Sequence, residues 1–162
     1  MKKEETRIRL RKFKGIGRMS PEKERAIFKR WPEWFPTAGD VRRSRMGERF
    51  CFWCGDGWYD IIFQLCERLE PLVANLDDAA QFQVVQVKEK FGGLRFYVEG
   101  SSDEIEAVIE SACELSRRTC EVCGKEVASL AQHGSLLRLP ANGLWNTLCS
   151  SCSELVLSVA RT

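Results

Sequence analysis

Cys120-Glu-Val-Cys123 and Cys149-Ser-Ser-Cys152 stand in the last third of this chain, with 25 residues between the two pairs. A Cys-x-x-Cys turn directs two thiolates toward one point, so two such turns supply four soft ligands. Four thiolates complete a tetrahedral Zn2+ shell and leave no position open for a substrate, which is the pattern of a structural ion. Gly124 follows the first pair and permits the tight return of a zinc knuckle. Residues 126–148 hold two weak strand patterns around Asn142-Gly143. Cys152 is followed by Ser-Glu-Leu-Val-Leu-Ser-Val-Ala, a helical pattern. Knuckle, hairpin, then ligands at a helix start is the order of a treble clef; a zinc ribbon would place the second pair in another knuckle.

Upstream, the run Gln81–Gly100 reads as a β-hairpin. Its turn is placed at Gly92-Gly93, where glycine supplies positive φ at no steric cost. That register opposes Phe91 to Leu94, Glu89 to Phe96 and Lys88 to Tyr97. Strand alternation assigns Val85, Val87, Phe91, Leu94, Phe96 and Val98 to a buried face, with Glu89 the exception. The opposite face carries Gln86, Lys88, Lys90, Arg95, Tyr97 and Glu99. Lys88, Lys90, Arg95 and Tyr97 are candidate binding residues, able to pair with phosphates and stack a base. The alternative is an ordinary solvated strand face.

Helices flank the hairpin. Ile61, Ile62, Leu65, Leu69, Leu72 and Leu76 recur at helical spacing, with a kink or break expected near Glu70 because Pro71 lacks an amide. Asp56 is placed to cap that helix. Asp56 and Asp60 also lie one turn apart and could hold Mg2+, although acids at a helix start more often favour its dipole. Ser101 and Glu104 read as a capping box opening a helix with Ile105, Val108, Ile109 and Ala112 on one face. That helix leads through Arg117-Arg118 straight into Cys120 without a Gly- or Pro-rich linker, so the metal module is expected to dock rigidly.

Charge divides the chain. Residues 1–49 carry 16 Lys and Arg against 7 Asp and Glu, whereas residues 50–162 carry 9 against 16. A basic arm on an acidic body favours an anionic partner, nucleic acid above all, with Arg7, Arg9, Arg11 and Lys12 as phosphate contacts. An arm folded on its own acidic body is the other reading. Ser20-Pro21 starts a short helix to Trp31. Trp31, Trp34 and Phe35 in Trp-Pro-Glu-Trp-Phe-Pro then form either a staple onto the body or an exposed patch with Trp34 as a protein-binding anchor. Ala38–Arg49 reads as a polar linker.

The remaining cysteines, Cys51, Cys54, Cys66 and Cys113, allow a second metal or redox site, but Cys66 and Cys113 lie beside apolar helical faces, where buried structural cysteines are usual. Eight cysteines without an apolar leader favour reduced thiols and a cytoplasmic setting, and no apolar stretch has the ~20 residues that span a bilayer. His133 is the single histidine, which argues against HNH-type nuclease and Ser-His or Cys-His chemistry. No P-loop or Rossmann glycine pattern is present.

The run Val87-Lys-Glu-Lys-Phe-Gly-Gly-Leu-Arg-Phe-Tyr97 resembles the signature of a family of uncharacterised small bacterial and phage or prophage zinc-binding proteins. The resemblance extends upstream to Cys54-Gly-Asp-Gly-Trp58. Downstream it takes in the Cys-x-x-Cys-Gly turn, Trp145, Leu148 and Cys149, covering about residues 50–155. Relatives often carry histidine as the last ligand. Cys152 stands there in this chain, an exchange that preserves zinc binding. The resemblance implies a phage-type context, and no mechanism.

The expected architecture is α+β: an arm with a short helix (1–49), a helix–hairpin–helix body (50–118) and a zinc module (119–162). The expected function is non-catalytic binding of nucleic acid or a phosphate-bearing nucleotide. The alternatives are an inhibitor of a host defence or nucleic-acid enzyme, and a metal-dependent nuclease using Asp56 and Asp60.

Overall fold

The computed structural model describes residues 17–35, 50–126, 135–139 and 144–160. The fold is mixed α+β. Helix α1 spans Pro21–Arg30, α2 Tyr59–Ala74, α3 Asp103–Ser116 and α4 Ser150–Ala160. Strands β1 (Phe52–Trp53), β2 (Gln83–Lys90) and β3 (Gly93–Glu99) form one sheet in the order β1-β2-β3. Strands β4 (Ser135–Leu139) and β5 (Leu144–Leu148) form a separate antiparallel pair.

From Gln86 to Lys90 and from Leu94 to Val98 the two faces alternate as predicted, but the turn sits one residue earlier. Lys90 pairs with Gly93, Glu89 with Leu94, Lys88 with Arg95 and Val87 with Phe96. The two turn residues are therefore Phe91 (φ 55°) and Gly92 (φ 75°), both in the left-handed region that a type I′ turn demands. Phe91 is pushed out of the core and is 62% exposed. Glu89, the polar exception on the apolar face, fastens the turn, because its Oε1 accepts the Gly92 amide at 2.7 Å. A bulge between Val84 and Gln86 makes a second correction. It leaves Val85 half-buried and turns Val84 into the core in its place.

Two cap expectations are also corrected. Ser102, rather than Ser101, caps α3, accepting the Ile105 amide; Ser101 bonds Glu106 instead. Asp56 does not cap α2, because a short 3-10 turn, Asp56–Trp58, precedes that helix. Its Oδ1 instead accepts the Ser20 amide at 2.7 Å and fixes the start of α1. Helix α2 runs through Pro71 to Ala74. Proline there removes one bond near the C-terminal end, and only the last turn has to accommodate it.

One apolar core joins α1, α2, α3 and the sheet, from Met19 to Ala112. The Trp31–Phe35 segment is a staple onto it. Trp31, Trp34 and Phe35 are all buried. Trp31 stacks on Trp34 at 5.8 Å and meets Phe63 edge-on, while Trp34 packs on Phe82. The Trp34 carbonyl accepts the Val84 amide at the bulge. Burial withdraws Trp34 from the surface, so it cannot serve as the exposed anchor. The core also takes Cys54 and Cys66, both fully buried, and burial pushes both thiols up.

Candidate metal centre and sheet surface

The C-terminal cysteines converge. The Sγ atoms of Cys120, Cys123, Cys149 and Cys152 all lie within 4.8 Å of one another, a group that can hold a metal ion. Among the described residues no other group of three or more potential ligands does so. Cys51, Cys54, Cys66 and Cys113 therefore form no second cluster of three or more, and Asp56 and Asp60 gain no third ligand. His133 lies outside the described residues.

Local backbone geometry builds this site. The Cys120 carbonyl accepts the Gly124 amide at 2.9 Å, and the Cys120 amide donates to the Lys125 carbonyl at 2.7 Å. Gly124 takes φ 74°, which closes the knuckle. Cys149 immediately precedes α4 and Cys152 lies in its first turn, where the Cys152 amide bonds the Cys149 sulfur. Burial pushes the Cys149 thiol up, but the Cys152 amide and the neighbouring thiols outweigh it and bring the group down to about 7. Burial and the same neighbours raise Cys152, and burial raises Cys120. Cys123 and Cys149 have sulfurs 3.7 Å apart. Metal–sulfur bonds of about 2.3 Å in a tetrahedron require sulfur separations of about 3.8 Å. The donor set and its spacing fit a four-thiolate ion.

The segment Cys54-Gly-Asp-Gly-Trp58 is the dock for this knuckle. The Gly57 amide donates to the Glu121 carbonyl at 2.7 Å, and the Trp58 indole N–H donates to the Thr119 carbonyl at 2.8 Å. The Gly55 amide donates to Glu121 Oε1 at 2.8 Å. A Cβ on Gly57 would overlap the Cys120 carbonyl oxygen and lie 2.5 Å from the Gly124 nitrogen. Glycine is required by the approach of two backbones. From the other side, Thr147 binds twice: its carbonyl accepts the Glu121 amide and its Oγ1 donates to the Gly92 carbonyl at 2.6 Å. The metal site is thereby tied to the hairpin tip.

The outer face of the sheet gathers the other candidates. Lys88, Lys90, Arg95 and Tyr97 share it, as the alternation predicts, and Lys88 Nζ lies 5.6 Å from the Tyr97 ring centre. Trp53 joins them, since β1 pairs in parallel with β2 and sets Trp53 beside Lys88. Sequence reading passes over Trp53. Its signal is the alternation Phe50, Phe52 inward and Trp53 outward. Arg18 lies 5.9 Å from the Trp53 ring and Lys90 lies 5.3 Å from the Phe91 ring. Arg7, Arg9, Arg11 and Lys12 lie outside the described residues. No described helix is long and apolar enough to cross a membrane.

No family model, curated protein or solved structure matches this chain.

Proposed function

We propose that this chain is a non-catalytic nucleic-acid-binding protein of the phage accessory kind, with its C-terminal segment folded as a treble clef around one structural Zn2+. The succession of knuckle, β4–β5 pair and α4 supports the treble clef. Four thiols within 4.8 Å of one another, with the Cys123–Cys149 pair at 3.7 Å, support zinc, which has no geometric demand beyond a tetrahedral shell. The observation that carries the binding function is the outer sheet face, where Lys88, Lys90 and Arg95 stand together and Arg18 adds a fourth cation at the exit of the basic N-terminal segment. Phosphates meeting such a face displace counterions, so affinity falls steeply with salt.

The test is fluorescence anisotropy with labelled oligonucleotides from about 50 to 200 mM salt, beside metal analysis of the purified protein. The reading requires binding that weakens steeply across that range and is reduced by K88E/R95E. It also requires one zinc per chain, lost in C149S/C152S. Absence of binding to any DNA or RNA at low salt would overturn it.

A further inference from the structure

Resting on that reading, we infer that the ligand is single-stranded polynucleotide whose bases stack on Trp53, Tyr97 and Phe91. Four large apolar side chains are exposed among the described residues: Trp53 (44%), Tyr97 (44%), Phe91 (62%) and Leu155. Three of these four belong to one sheet surface and its tip. A fold that buries Trp31, Trp34, Trp58 and the Phe50–Phe52 pair leaves these three rings in water.

Their placement follows from register. Trp53, Lys88 and Arg95 form one row across the three strands. Gln86 and Tyr97 form the next row, about 7 Å along the strands. In the other direction, also about 7 Å away, Lys90 pairs with Gly93 and leads into Phe91. Successive levels of the surface thus present Tyr97, then Trp53, then Phe91. Each ring has a cation close by: Lys88 for Tyr97, Arg18 for Trp53 and Lys90 for Phe91. Glu99, paired with Gln83, ends the surface beyond Tyr97.

Alternating ring and cation is the chemistry of an unpaired strand. An aromatic face can receive a base only if the base is unstacked from its partner, and the cation beside it meets the adjoining phosphate. In a duplex the base faces are stacked on neighbouring pairs and only edges and phosphates are offered, so the rings would have no face to stack on. Entry of the chain reinforces the assignment. The Met19 amide bonds the Phe52 carbonyl at 3.1 Å, which brings Arg18 over Trp53. Arg18 thereby puts a cation at the middle of the proposed track.

The experiment compares about 12-nucleotide oligothymidylate, oligouridylate and a mixed-sequence duplex on the full, zinc-loaded chain. Single strands are to bind at least about tenfold more tightly than the duplex. Trp53→Ala and Tyr97→Ala are each to weaken them by about 5- to 100-fold, while Trp53→Phe retains most of the affinity. Ultraviolet crosslinking to oligothymidylate is to fall on peptides carrying Trp53, Tyr97 or Phe91. Equal affinity for single strand and duplex, with the aromatic variants neutral and K88E/R95E still damaging, overturns the stacking inference and leaves nucleic-acid binding standing. Silence toward all three probes at low salt overturns both.

Discussion

Gly57 and Glu89 show how far single side chains decide this fold. At Gly57 the absence of a side chain is the functional property, because the backbones of Cys120 and Gly124 occupy the place of a Cβ. Gly57→Ala is expected to cost about 3 kcal/mol or more and to slow metal uptake; thermal unfolding and zinc titration measure both. Glu89 holds the turn through Gly92 but is half-buried on the apolar face, with Glu121 close by. Burial raises its pKa, against the pull of the Gly92 amide and Arg95. A carboxyl raised by folding is neutral in both states at low pH. As pH rises past the ordinary value of 4.5, the unfolded chain ionises first and folded stability falls. Glu89→Gln keeps the acceptor and removes the charge. Its Tm is expected to match the parent below pH 4.5 and exceed it at neutral pH. Identical pH profiles would refute this account of Glu89.

Among the elements, the hairpin tells most about what a sequence discloses. Its two faces were legible because side chains alternate whatever the register. The turn was not, because Phe91-Gly92 and Gly92-Gly93 both contain a residue suited to positive φ. Choice between them lies with Glu89 and with Thr147, which lies 55 residues away. The four sulfur ligands were legible because the Cys-x-x-Cys spacing is local chemistry. The dock at Gly55–Trp58 was not, since its partners lie more than 60 residues on. Strand β3 shows a further device. It is an edge strand, yet two of its outward amides are taken by α3: Leu94 donates to Ser116 Oγ at 2.8 Å and Phe96 to the Cys113 sulfur. Helix α3 thus closes an edge that would otherwise pair with another chain. Ser116→Ala leaves a buried amide without its acceptor and is expected to cost about 1–3 kcal/mol, with concentration-dependent association seen by light scattering.

Across the molecule, the cysteine cluster and body share a backbone network, so an ion bound there would act on more than its own segment. Chelation is expected to lower the unfolding temperature of the entire chain in one transition. Hydrogen exchange at the Trp58 indole, buried against the Thr119 carbonyl, is expected to accelerate early in that loss. A metal-free chain whose Trp58 indole stays protected would show that the dock holds without metal. The same network places the proposed binding surface on the side of the sheet opposite the core, with the hairpin tip fastened by Thr147 two residues before Cys149.

That fastening also orders events during synthesis. Hairpin, helix α3 and the first cysteine pair are synthesised before Thr147 and the second pair exist. At about 5–20 residues per second, the 25 residues between the pairs take on the order of seconds. During that interval the nascent chain owns half a ligand set, and the Gly92 carbonyl has no threonine to meet. Thr147 locks a turn made 55 residues earlier, so maturation of the hairpin tip waits until that threonine is in place.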